Sequence, residues 1–332
     1  SRELMEKASK ISLDFDLGLD YQDIDKRIDY YQNPKSGINY HRFNELAKRL
    51  GSGFQKGTLN LFLAPAGVGK SLLISSSITD FIQQGYNVLL VSMEMSDFEF
   101  VKRIDADNLD LPINDLKNIP KEIIKNKFKE HSNKLGKFYT KQYPAGSFSA
   151  SMLESLLDMY KSNGVEFDLI FLDYIGIMKS DRVQPSVGLY SYIKAIAEEV
   201  RAIAVKRDLS IVSASQLNRS AMNKKDSDNS AISDSIGTAQ TADFMCFLLQ
   251  TDEMKEKSEL IFKITKNRYT GRTDFFNMKV DYNKMRVSDV VDFGSKEQQL
   301  QTETYVNDEI KRIEIESMQN LTDWTFNDTD KE

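Results

Sequence analysis

The chain has almost none of the side chains that build cross-links or metal clusters. Its 332 residues include one cysteine, Cys246, and two histidines, His41 and His131. One thiol excludes a disulfide framework, and so small a set of thiol and imidazole ligands excludes a structural zinc cluster. Proline (6) and glycine (16) are too sparse for a collagen-like or low-complexity chain. No apolar run approaches the roughly 20 residues of a membrane span, and no apolar signal segment opens the chain. A reduced, cytoplasmic setting without a membrane partner is therefore expected. The first residue is Ser1 rather than Met, which leads to the expectation of a trimmed fragment of a longer protein.

What is present is globular, at 40% hydrophobic and 28% charged residues, with a net charge of −6. The acidity is local. Residues 296–332 carry 10 acids and 4 bases, so residues 1–295 balance at 40 against 40. A neutral body does not exclude nucleic acid, because binding follows a local basic stripe and not the sum.

Three regions are expected: a linker segment over residues 1–40, one large α/β domain over 41–294, and an acidic tail over 295–332. In the first, Tyr21, Ile24, Ile28 and Tyr31 are spaced 3, 4 and 3 apart and define one narrow helical seam before the breaker Asn33-Pro34-Lys35-Ser36-Gly37. Such a helix packs either on its own domain or on another subunit. From about residue 57, apolar strands alternate with helices: Leu59–Leu63, a helix Leu72–Gln84, Asn87–Val91, a helix around Met152–Tyr160, Leu169–Leu172, the stripe Ile193–Ala204, and Ser210–Ala214. This order predicts a mainly parallel sheet covered by helices on both faces. Beyond residue 243 the strands Phe244–Leu249, Leu260–Thr265, Asn277–Asp281 and Met285–Val290 come without helices, and this end is expected to be antiparallel.

The chemistry is concentrated where those strands end. Ala64-Pro65-Ala66-Gly67-Val68-Gly69-Lys70-Ser71 lies between a strand and a helix, where a phosphate loop belongs, although Ala64 replaces the usual first glycine. Main-chain N–H groups from Ala66, Gly67, Val68, Gly69, Lys70, Ser71 and Leu72 would surround the phosphates of ATP. Lys70 would reach the β- and γ-phosphates, and the Ser71 hydroxyl would hold Mg²⁺. Asp173, closing the strand Leu169–Leu172, suits support of the same Mg²⁺. Glu94, in Ser92-Met93-Glu94-Met95, suits the general base that polarises the attacking water, and Gln216 suits a γ-phosphate sensor. Lys266 and Arg268 stand two apart in a cation-rich turn. They are read either as a solvated basic hairpin or as an arginine finger offered to a neighbour's ATP.

Taken in order, these motifs resemble the RecA-type motor of DnaB-like replicative helicases. They are closer still to the replicative helicases of T-even-like bacteriophages. Lys102-Arg103-Ile104-Asp105-Ala106, Lys141-Gln142-Tyr143-Pro144 and Thr241-Ala242-Asp243-Phe244-Met245 support the closer match, which covers roughly residues 10–292. The helical N-terminal domain of such helicases is missing from the sequence. The resemblance implies a ring of six around single-stranded DNA with ATP between subunits, in the host cytoplasm if the gene is a phage's. It implies that Lys266 and Arg268 serve the neighbour's site, that Arg103 flanks the adenine, and that the Tyr21–Tyr31 seam docks in trans. It also implies primase and loader partners through the missing domain or the acidic tail. DNA would be gripped by loops facing the pore, for which there are two candidates: Lys179–Gly188 with Lys179 and Arg182, or Arg219–Thr238 with Lys224, Lys225 and Gly237. Neither loop has aromatics for base stacking, so phosphate contact is favoured. A RecA-like recombinase, a clock-type ATPase and a non-catalytic ATP-binding scaffold share parts of the pattern.

Overall fold

Near-continuous apolar runs form the centre of one sheet, since a strand covered on both faces has no solvent side to fill with polar residues. The computed structural model describes residues 18–33, 37–132, 134–217 and 240–290, and Asp308; Gln216 and Leu217 are described by main chain alone. Contacts divide the chain into residues 1–36 and 37–332.

In the first unit, α1 (Ile24–Gln32) begins where the Asp23 carboxylate accepts the Lys26 N–H, and ends as the Asn33 N–H closes on the Asp29 carbonyl. No residue of α1 is buried. Tyr21, Ile24, Ile28 and Tyr31 are 79%, 48%, 40% and 65% exposed, so the seam stays open among the described residues, with only the Arg27 guanidinium laid over the Tyr21 ring.

The second unit runs α2 (Asn44–Leu50), β1 (Thr58–Pro65), α3 (Lys70–Gln83), β2 (Val88–Ser92), α4 (Asp97–Asn108), α5 (Lys121–Ser132), β3 (Phe138–Gln142), α6 (Ala150–Ser162), β4 (Leu169–Asp173), α7 (Leu189–Arg207), β5 (Ser210–Leu217), β6 (Phe244–Leu249), α8 (Asp252–Glu256), β7 (Glu259–Asn267), β8 (Phe275–Asp281) and β9 (Arg286–Asp289). Among the described residues the nine strands lie in the order β3-β2-β4-β5-β1-β6-β7-β8-β9. Pairing is parallel from β3 to β6 and antiparallel from β6 to β9. Two expectations need correction. β6 pairs in parallel with β1, so the antiparallel part starts only at β7. A short helix, α8, also interrupts the C-terminal strands, started by the Thr251 hydroxyl accepting the Met254 N–H.

Every residue of β1 is buried. Its side chains alternate between two cores: Leu59, Leu61 and Leu63 pack beneath α6 and α7, while Phe62 and Ala64 pack beneath α3. Burial of each such large side chain contributes about 1.5–3 kcal/mol. The register places Ala64 opposite Gln216 and Ser92 opposite Asp173, so the strand ends singled out by sequence lie along one carboxyl edge. In an open α/β sheet that edge is where ligands bind.

Candidate active site

Between β1 and α3 the loop turns on two glycines. Gly67 has φ +80° and Gly69 φ +103°, which side chains rarely adopt. A Cβ at Gly67 would meet nothing within 4 Å, so the dihedral and not crowding requires glycine there. Gly69 is the cap of α3, and its carbonyl accepts the Leu73 N–H at 2.9 Å. The N-terminal N–H groups of α3 therefore face the loop, where the helix dipole favours an anion.

Lys70 opens α3 and brings three strand ends together. Its Nζ lies 2.6 Å from Glu94 Oε2 and 3.5 Å from Asp173 Oδ1, and sits over the Tyr174 ring at 4.0 Å from the centroid. Asp173 is fully buried, and neither carboxylate oxygen has a hydrogen-bond partner among the described residues. Burial pushes its carboxyl up to about 6 against the opposing pull of Lys70, with the Glu94 charge adding to the rise. A buried carboxylate with open lone pairs beside a phosphate loop fits a divalent cation, and Ser71 one residue into α3 supplies a hydroxyl.

Glu94 owes its position to Ser92. The Ser92 hydroxyl donates to the Met95 carbonyl at 2.6 Å and accepts the Met95 N–H at 3.1 Å, which pins the turn carrying Glu94. Ser96 then caps α4 by accepting the Glu99 N–H. One full turn further on, Arg103 is half-buried; burial lowers its pKa while Glu99 and Asp173 oppose that shift.

Beside them lies a cleft of about 390 Å³, which the buried Asp173 does not line. Ala66, Gly67, Gly69, Lys70, Ser71, Leu72, Glu94 and Arg103 all face it, whereas Val68 is buried beneath the loop. Tyr282 and Met285, from the turn between β8 and β9, close the far wall. Sequence reasoning missed both, since nothing local links this turn to a loop more than two hundred residues earlier. The Tyr282 hydroxyl accepts from Gln250 Nε2 at 2.9 Å, which fixes the ring.

The remaining expected residues lie elsewhere. Lys266 Nζ donates to the Gln240 carbonyl at 3.1 Å, and Arg268 Nη1 reaches Asp243 Oδ1 at 2.8 Å. Neither lines the cleft of its own chain. The segment after Asp173 is held down. The Lys179 N–H bonds the Phe148 carbonyl, and Arg182 pairs with Glu198 at 2.9 Å and Glu199 at 3.1 Å on α7. Lys179 is exposed. Lys224, Lys225 and Gly237 lie outside the described residues, as does the Gln216 side chain.

A phosphate loop feeding the carboxyl edge of a RecA-like sheet, with paired acids from two neighbouring strands, defines a nucleotide-hydrolysing motor domain. Residues 37–289 match the DnaB-like helicase C-terminal domain. The DnaB-like replicative helicase of Enterobacteria phage T4 is 33% identical over 340 residues, covering 96% of this chain and 71% of that protein. The replicative DNA helicase DnaB of Helicobacter pylori is 26% identical over 239 residues, 69% of this chain; the match spans 48% of that protein, about half its length. Among solved structures, a DnaB-like replicative helicase described with its interactions with primase matches at TM-score 0.65 and 20% identity over 87% of this chain and 71% of that one. A second solved structure, of an isolated ATPase domain, matches at TM-score 0.66 and 18% identity over 82% of this chain and 100% of that one. The chain belongs to the DnaB-like replicative helicases and is an ATP-dependent DNA helicase motor. The recombinase, clock-type and scaffold readings are set aside on this ground.

Proposed function

We propose that this chain assembles into a ring of six, binds ATP with Mg²⁺ at each subunit boundary, and moves along single-stranded DNA while excluding the other strand. The observation that carries this reading is the convergence of Lys70, Glu94 and Asp173 at one end of the phosphate loop, with Arg268 outside the cleft of its own chain.

The loop N–H groups from Ala66 to Leu72 receive the phosphates. Lys70 exchanges its two carboxylate partners for the β- and γ-phosphates, which leaves Glu94 able to take a proton from an attacking water. Ser71 and Asp173 hold Mg²⁺, which neutralises phosphate charge when bound. Gln216, opposite Ala64 on the next strand, senses the γ-phosphate. Arg103, Tyr282 and Met285 form the end of the cleft that takes the base.

Lys266 and Arg268 act on the neighbour's ATP. The exposed seam of Tyr21, Ile24, Ile28 and Tyr31 docks on the next subunit. Lys179, Lys224, Lys225 and the main chain at Gly237 grip the phosphates of the strand. Arg182 is engaged by Glu198 and Glu199, so it holds its segment on α7, and DNA contact is assigned to Lys179 in preference to it. Primase and a loader are the expected protein partners, through an N-terminal domain or the acidic tail, in the host cytoplasm.

Glu94→Gln tests the assignment of the base. A general base contributes typically 10²–10⁴-fold, so this variant should bind ATP normally and hydrolyse it slower by about that factor. Hydrolysis at the wild-type rate would place the base elsewhere.

A further inference from the structure

Asp243, just before β6, is 4% exposed and carries more donors than an ordinary ion pair needs. Its Oδ2 accepts the Leu59 N–H at 3.1 Å and Arg201 Nε at 2.9 Å. Its Oδ1 accepts Arg201 Nη2 at 3.1 Å and Arg268 Nη1 at 2.8 Å. The main chain is tied at the same place: the Asp243 N–H donates to the Leu59 carbonyl at 2.8 Å, and the Arg268 N–H donates to the Asp243 carbonyl at 3.0 Å.

The two arginines are not equivalent. Arg201 meets both oxygens in the bidentate fork that fixes a carboxylate in orientation. Arg268 spends one of its five N–H donors on Asp243, is half exposed, and has no other side-chain partner among the described residues. Because Arg268 itself is half exposed, water screens its pairing with the buried Asp243 and limits what the pair adds to stability. What it does supply is direction, because one end of the guanidinium is anchored to the sheet and the other end is left to reach outward. The carboxylate also offsets the crowding of like charges: burial and then Arg268 and Arg201 lower the pKa of the Lys266 ammonium, and Asp243 opposes that shift.

We propose that Asp243 is the positioning residue for Arg268, presenting its guanidinium to the neighbouring subunit's ATP, and that Arg201 fixes Asp243 for that purpose. This rests on the reading of Arg268 as acting in trans. Asp243 does not line the cleft of its own chain, so a variant that keeps its contact with the Leu59 N–H should act through the arginine.

Subunit mixing tests this. Asp243→Asn keeps the shape and an acceptor for Leu59 while removing the charge. It should bind a fluorescent ATP analogue as wild type does. Its kcat should fall by about 10–100-fold, the usual effect of misplacing a supporting group, with KM little changed. Mixed with Lys70→Ala, it should regain turnover, because the Lys70→Ala subunit offers an intact arginine to an intact cleft. Mixed with Arg268→Ala, it should stay inactive, both defects lying on the same side of the boundary. Arg201→Gln should fall in the same group, with Arg201→Lys retaining more activity, and these variants decide the matter if Asp243→Asn does not fold. A wild-type kcat in Asp243→Asn, or revival by Arg268→Ala, would overturn the role of Asp243. If Lys70→Ala with Arg268→Ala stays inactive while both assemble, trans catalysis itself fails and this role goes with it. If that pair revives and Asp243→Asn still groups with Lys70→Ala, only the role of Asp243 is lost.

Discussion

Lys70 sits between two acids that differ in exposure, and that difference sets what each can do. Glu94 is 42% exposed and open to water, whereas Asp173 has no exposed surface and an elevated pKa of about 6 against an ordinary 3.8. Between those values the folded protein holds more protons than the unfolded chain, so this group makes stability fall as pH rises through the window. Its cost is complete above pH 6 and absent below 3.8. In EDTA, Asp173→Asn should therefore be more stable than wild type at pH 7.5, and the gap should narrow by about 1 kcal/mol at pH 5. Urea unfolding at the two pH values checks this; a gap that widens on acidification would reverse the argument. Lys70 and Ser71 were legible because a phosphate loop is a local pattern, and Glu94 and Asp173 because each follows or ends an apolar strand. Tyr282 and Asp243 were not, since both take their meaning from tertiary contacts. For Arg182 the sequence suggests a free cation, but Glu198 and Glu199 occupy it from sixteen and seventeen residues away.

At the level of elements, α1 shows the clearest mismatch between pattern and packing. Its apolar seam stays exposed among the described residues, which is the condition expected of a helix that completes its burial against another subunit. Ile24→Asp with Ile28→Asp should lower the mass of the assembly in ATP while leaving the far-ultraviolet circular dichroism of each subunit unchanged. Loss of the folded signal would mean that the helix packs on its own domain. The strands read well because central strands of a two-faced sheet are apolar runs: β1, β2, β4 and β5 all lead into polar residues of the candidate site. Strand β3 gave no such signal. It is an edge strand, Phe-Tyr-Thr-Lys-Gln, with Tyr139, Lys141 and Gln142 exposed, and among the described residues it pairs only with β2. Helix α8 is too short, at 5 residues, for any periodicity to be visible. The direction of β6 was also hidden, because strand direction depends on the path of the chain before it and not on the strand's own residues.

For the whole molecule, charge and architecture point to the same division of labour. The body is neutral and the excess of acids lies after residue 295, so attraction for a polyanion must come from local basic groups, and Lys179 and the pair Lys224-Lys225 are the ones we propose. The cleft is lined from the phosphate loop, the start of α3, the turn after β2, α4 and the β8–β9 turn, and neither Lys266 nor Arg268 lines it. The proposed ring should turn over slowly alone and faster when a single strand orders it. The most direct measurement is steady-state ATP hydrolysis by the wild-type chain as a single-stranded oligonucleotide is titrated in at fixed salt. The rate should rise to a plateau, irrespective of base sequence. A rate that stays flat across the titration, with the protein assembled in ATP, would contradict a motor driven along single-stranded DNA.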